Sequence, residues 1–257
     1  MRWGVNGSQL SRMALEYVSP EGLRLDGRRP LELRQMRCHF GTVREAEGSV
    51  TFESGNTKIL ASVFGPRDAG RDRSEARTGR VVCHVSTAPF SSGGERRKRS
   101  RRDRMTRELG HIIREAFQAN ILTELFPKSR IDVFIHVLQA DGGVLGASLN
   151  AAFLAVADAG IPMHDLCGAA SLGVLNKTKL LDLNYLEEGG GGAVATAFVQ
   201  RNRDEVLTLH VEKARFRGEE LEDVVAHLVQ GCRAAAEFLR GQLLERTHKL
   251  ALAHGSS

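Results

Sequence analysis

The sequence predicts an α+β protein built as two related lobes divided near residue 165. Three features carry this. Strand-length apolar runs and helix-length segments follow in the order four strands, a helix, a strand–turn–helix unit, then four strands and a helical end. A strand–glycine–helix unit, IDVFIHVLQADGGVLGASLNAAFLAVADAGIPM at 131–163, stands at the centre of the chain. The composition, 42% hydrophobic and 26% charged, is that of a soluble globular protein, and 257 residues suffice for one large core or two smaller ones. No apolar run approaches the roughly 20 residues that cross a bilayer.

The opening stretch MRWGVNGSQLSRM has no continuous apolar core of the secretory type, so 1–19 reads as an extension. The first lobe then spans 20–165, the second 166–250, and 251–257 is a tail. Residues 33–42 read as a strand. Residues 49–53 and 57–64 form a hairpin, because Ser54-Gly55-Asn56 is a turn signal. Residues 66–80 form an Arg-rich loop, 80–87 a strand, and 88–102 a charged loop. A helix over 104–125 follows, with Leu109, Ile112, Ile113, Ala116 and Phe117 on one face.

Next comes the central unit. Its strand covers 131–138, Gly142-Gly143 turns the chain, and a helix runs over 144–159 until Gly160 and Pro162 stop it. A glycine turn feeding a helix start aims unpaired N–H groups at an anion. The same glycines also serve close packing of strand on helix. Beyond Pro162, strands are expected over 167–175, 179–184, 193–199 and 205–211, with a flexible loop at 189–192. A helix covers 219–249, with a possible break near Gly231 or Gly241.

The four cysteines, Cys38, Cys83, Cys167 and Cys232, are far apart and form no CxxC pair. That disfavours a zinc site and fits reduced thiols in an intracellular compartment. The net charge of +5 is concentrated: 95–107, ERRKRSRRDRMTR, balances to +6 and everything else to −1. Such a block suits an anionic partner, above all nucleic acid; an import signal and a solvated face are the other readings.

Seven segments in order carry a resemblance: LRLDGRRPLELR (23–34), ESGNTK (53–58), FGP (64–66), APFSSGGERRKR (88–99), LQADGG (138–143), ADAGIPM (157–163) and LDLN (181–184). Together they resemble the RNase PH family, over roughly 20–250, and within it DGRR and FSSGGERRKR are most similar to the exosome-core branch. The resemblance implies the RNase PH-like fold of two βαβα-type lobes, related to the second domain of ribosomal protein S5. It also implies a six-membered ring of homologous RNase PH-like subunits, RNA-binding cap proteins, single-stranded RNA and a hydrolytic exosome nuclease as partners. No cofactor, metal or membrane is implied, and the expected location is the nucleus, nucleolus included, and the cytoplasm.

Active family members use inorganic phosphate to cleave RNA from its 3′ end. Two anions must be brought together, which requires cations and N–H donors. The resemblance assigns phosphate binding to Gly142 and Gly143, and the acidic pair to Asp182 and Glu188. It departs from the active pattern at Val144, where a hydroxyl stands, at Leu145, where an arginine stands, and at Met105, the second member of an arginine pair that begins with Arg104. Glu188 is one methylene longer than the usual aspartate. Without the family, Asp182 reads as a turn-stabilising side chain at a strand end. The resulting expectation is a non-catalytic, RNA-contacting ring subunit; the alternative is an active phosphorolytic 3′-to-5′ exoribonuclease. RNA contact is assigned to Arg67, Arg71, Arg73, Arg96, Arg97, Arg99, Arg101, Arg102, Arg104 and Arg107. Phe90 is the one aromatic expected near these loops, so contact is expected with phosphates rather than bases.

Overall fold

A helical layer lies between two twisted sheets in the computed structural model, which describes residues 17–69, 78–92, 104–176, 178–203, 205–212 and 218–255. The first sheet has the order β1-β2-β3-β5-β4, from β1 (Met36–Phe40), β2 (Gly48–Ser54), β3 (Thr57–Asp68), β4 (Arg80–Thr87) and β5 (Ser129–Gln139). All pairs in it are antiparallel except β4 with β5, which are joined by the crossover helix α1 (Arg104–Asn120). The second sheet has the order β7-β6-β8-β9, all antiparallel, from β6 (Cys167–Leu175), β7 (Thr178–Leu181), β8 (Ala193–Gln200) and β9 (Val206–Glu212).

The middle layer is organised by α2 (Val144–Asp158). It packs on β2 and β3 of one sheet and on β6 and β8 of the other. Every residue from Leu145 to Val156 is buried, as a helix with apolar or small residues all round must be. Its one amide, Asn150, is satisfied by the backbone of β6: Nδ2 donates to Ala169 O at 3.0 Å and Oδ1 accepts from Ala169 N at 2.8 Å. α1 lies against β4 and β9, and α4 (Gly218–Gly255) against β6 and β8, reaching β1. The largest fully buried side chains, Phe52, Phe117, Phe153 and Phe198, come from both sheets and the two helices α1 and α2.

Several elements differ in extent from the sequence reading. β1 covers Met36–Phe40 where 33–42 was expected, and β2, β8 and β9 differ by a residue at one or both ends. β3 continues to Asp68, because Pro66 sits in a bulge between Phe64 and Arg67, where no ladder N–H is needed. α1 stops at Asn120 rather than running to 125. There the chain turns to pair with 162–164: Leu122 N donates to Pro162 O at 3.1 Å, and His164 N to Asn120 O at 2.8 Å. β7 ends at Leu181 rather than 184, and a short helix, α3 (Tyr185–Gly189), lies between it and the expected loop, where no helix was expected. β5 begins two residues earlier, at Ser129. α4 runs unbroken through Gly231 and Gly241; at Gly231 the missing side chain lets Leu181 approach, a built Cβ lying 2.7 Å from its Cδ1. The four cysteines are free, and burial pushes the thiols of Cys38, Cys83 and Cys232 up to about 12.

Candidate active site

The expected phosphate turn joins β5 to α2. Gly142 and Gly143 both take left-handed backbone, φ +78° and +61°. A Cβ on Gly142 would lie 2.5 Å from Leu183 O, and one on Gly143 2.8 Å from Arg34 Nη2. Gly142 is therefore required by packing against the backbone of 183–184, and Gly143 is favoured by its left-handed backbone and the approach of Arg34.

Beside this turn, Asp182 is held as a structural anchor. Its own backbone is left-handed, φ +54°. Its Oδ1 accepts from Arg34 Nη2 at 2.7 Å, and its Oδ2 accepts from Arg34 N at 3.0 Å and from Ser54 Oγ at 3.4 Å. Burial would raise this carboxyl, but the hydrogen bonds and charge of Arg34, with Arg28 further off, hold it below the usual carboxylate value. Arg34 also donates to Asp141 O at 2.7 Å and Gly142 O at 3.1 Å, tying turn and aspartate together.

Two more arginines of the 23–34 segment converge on the same strip. Arg24 donates to Leu181 O at 2.5 Å and Asp182 O at 3.1 Å, and Arg28 donates to Asp182 O at 3.1 Å. The Arg24 guanidinium also pairs in two-pronged fashion with Glu187, both side chains being fully buried. Glu187 closes a capping box with Asn184 at the start of α3: Asn184 N donates to Glu187 Oε2 at 2.9 Å, and Glu187 N to Asn184 Oδ1 at 3.0 Å. The sequence reading passed over Arg24, Arg34 and Glu187. The capping box was legible as Asn184 followed by glutamate three residues on; the arginine partners lie about 150 residues away and left no local sign.

The capping geometry turns Glu188 the other way from Asp182, toward a cavity of about 270 Å³. Its walls are mostly apolar and include Met105, Leu109, Val137, Val144, Leu145 and Leu183. Glu188 Oε2 accepts from Gly143 N at 3.3 Å, so the anion at the start of α2 is the chain's own carboxylate. Val144 and Leu145 line the cavity where the active pattern has a hydroxyl and an arginine. The two expected acidic residues thus have different surroundings: Asp182 borders a separate void of about 20 Å³ with Arg34 and Ser54, and Glu188 faces the cavity.

Of the expected RNA-contacting arginines, Arg67 lies at the end of β3, and Arg104 and Arg107 on the first turn of α1, next to Met105 at the cavity wall. Arg71, Arg73, Arg96, Arg97, Arg99, Arg101 and Arg102 lie outside the described residues. Among the described residues, no group of three or more His, Cys, Asp or Glu is placed to hold a metal ion, and no helix is long and apolar enough to cross a membrane.

Residues 32–162 match the model of the 3′ exoribonuclease family, domain 1, the RNase PH domain. The chain belongs to the RNase PH family. Its relatives include the exosome complex component RRP41 homolog of Arabidopsis thaliana, 48% identical over 92% of this chain and 98% of that protein. Exosome complex component RRP41 of Mus musculus is 41% identical over 91% and 95%. Among solved structures, rice (Oryza sativa) Rrp46 superimposes with a TM-score of 0.74 at 24% identity, covering 86% of this chain and all of that one. A chain of the Archaeoglobus fulgidus exosome with RNA bound to the active site gives 0.73 at 19%, covering 86% and 93%. At these identities the likeness establishes the RNase PH fold.

Proposed function

We propose that this chain is a non-phosphorolytic, RNA-contacting subunit of an exosome core ring, supporting 3′-to-5′ RNA processing. Membership rests on its relatives, which are named exosome components and match along nearly their whole length. The absence of phosphorolysis rests on one observation: at the start of α2 the cavity offers Val144, Leu145 and Met105 and places the Glu188 carboxylate on the Gly143 amide. A phosphate dianion entering there meets apolar walls and a like charge. Removing a single preorganised donor costs about 100- to 1,000-fold in rate, and here two positions lack theirs.

Ring assembly is supported by the sheet edges. β1 and β4 flank the first sheet, β7 and β9 the second, and β9 exposes Val206, Leu209 and Val211. Exposed apolar edge strands are places where another chain adds on. Homologous RNase PH-like subunits, cap proteins and a hydrolytic nuclease are the partners this reading entails, in the nucleus, nucleolus and cytoplasm.

The test uses end-labelled single-stranded RNA with the purified chain, alone and with ring partners, with phosphate and without it. No nucleoside diphosphate is expected. Its phosphate-dependent release, abolished by Glu188→Gln, would overturn the proposal and establish the phosphorolytic alternative. Asp182→Asn is the poorer control, because Asp182 holds the fold around Arg34.

RNA contact by the basic segments has its own measurement. Replacing Arg96, Arg97, Arg101 and Arg102 with alanine is expected to weaken RNA binding by the assembled complex for all sequences alike. The dependence of log affinity on log salt is expected to flatten by about 0.7 for each phosphate no longer neutralised. An unchanged slope would remove these arginines from the RNA path.

A further inference from the structure

The outer face of the first sheet carries a row of rings that neither the cavity nor the core uses. Inward positions of β3, β4 and β5, such as Val63, Val81 and Val133, fill the core. By strand alternation Phe64, His84 and Phe134 point the other way. His84 and Phe134 are opposite each other in the β4–β5 register, with ring centroids 4.8 Å apart and planes 18° apart. Phe134 meets Phe64 edge-on, centroids 5.6 Å apart at 84°. The Arg67 guanidinium lies 5.0 Å over the Phe64 ring. The sequence reading expected Phe90 alone near the basic loops; the fold instead puts Phe64 under Arg67, with Phe134 and His84 following along the row.

The ends of the row are accessible. Arg67 and His84 leave 57% and 46% of their side chains exposed, and Arg130, two residues before Asp132, leaves 43%. Arg67 reaches Glu47 at 3.5 Å across open surface, a contact weak enough to be exchanged for a phosphate. Arg130 is tied to Asp132, Nε donating to Oδ1 at 2.7 Å, and that carboxylate also lies 3.7 Å from His84 Nε2, so Arg67 is the exposed guanidinium of the row with only a weak surface contact. Rings with such a guanidinium at their rim match one chemistry closely: a base stacks on a ring while the cation takes its phosphate. Phe64 and His84 lie on β3 and β4, the two strands that enter and leave segment 66–80.

We infer that this face is a base-stacking surface for single-stranded RNA, formed by His84, Phe134 and Phe64 with Arg67 at its rim. The inference rests on the RNA-contacting reading and adds to it a preference for bases over bare phosphate.

The experiment compares a fluorescent single-stranded RNA with an abasic ribose-phosphate oligomer of the same length and charge, both titrated into the assembled complex. The variants are Phe64→Leu with Phe134→Leu, which keeps apolar volume on the sheet, and separately His84→Ala, an exposed change that leaves the fold intact. Stacking of one base predicts about tenfold weaker binding of RNA by either variant, with the abasic oligomer and the salt slope unaffected. Equal weakening for both oligomers, or none for RNA, overturns the inference. If RNA affinity is unmoved here while the four-arginine variant still weakens it, RNA contact stands and stacking falls. If neither set of changes matters, both readings fall. Failure to join the ring with RNA affinity intact would make this face a protein contact and also overturn the inference.

Discussion

Arg24→Met is expected to lower folding stability by about 3–5 kcal/mol, the cost of leaving a buried charge without its partner. The Glu187 carboxylate is fully buried and receives two of its hydrogen bonds from Arg24. Methionine keeps the apolar length of the side chain and removes the fork. The damage extends to the carbonyls of Leu181 and Asp182, which Arg24 also serves. Denaturant titration of the variant checks the size. The double change Arg24→Met with Glu187→Met is expected to recover a substantial part of it, because an apolar pair of similar volume replaces a buried ion pair at little cost. A double variant as unstable as the sum of its parts would show the two side chains to act independently. The neighbouring Arg34–Asp182 pair adds a pH signature. A carboxyl held below its ordinary value contributes stability above the unfolded value, roughly 3.9, and loses it as pH falls through the folded value. Acid unfolding below about pH 4 is therefore expected to be shallower in Arg34→Met, whose stability is already lower at neutral pH.

Gly168→Ala is the second large effect. A Cβ at Gly168 would lie 2.3 Å from Cys232 O and 2.6 Å from Ala236 N, both backbone atoms of α4. A helix backbone does not yield to one side chain, so strand and helix must separate, at a cost of about 3 kcal/mol. Gly48 repeats the arrangement in the other lobe, with a built Cβ 2.2 Å from Ala155 O and 2.4 Å from Ala159 N of α2. Each lobe thus presses a glycine near the start of a strand onto helix residues four apart. Gly241→Ala is the control: it lies in α4 with nothing within 4 Å, and is expected to stabilise by up to about 1 kcal/mol. Thermal unfolding of the two variants ranks them.

The strands and helices were legible because their signals are local. β4 and β6 were read at their observed bounds, and α2 within one residue, since apolar runs and glycine or proline stops act over a few positions. Pro66 hid the last residues of β3, because a proline tolerated in a bulge looks the same in sequence as one that ends a strand. In the candidate site, the glycine turn and both acidic positions were visible. What separates Asp182 from Glu188 was not, because it depends on Arg34 and Arg24 arriving from the far end of the chain. The ring row was hidden for the same reason: Phe64, His84 and Phe134 are scattered in sequence and meet only through strand pairing.

The two-sided burial of α2 makes the lobes units of topology rather than of stability. The main apolar cluster joins Val50 and Phe52 of the first sheet to Cys167, Ala169 and Phe198 of the second, with this helix between them. Neither half of the chain can keep that helix dry by itself. The start of the same helix forms the cavity wall, so Val144 and Leu145 are fixed by whatever fixes the junction of the halves. A cavity mounted on the seam between two sheets keeps its shape only while both hold together, which ties its geometry to global integrity.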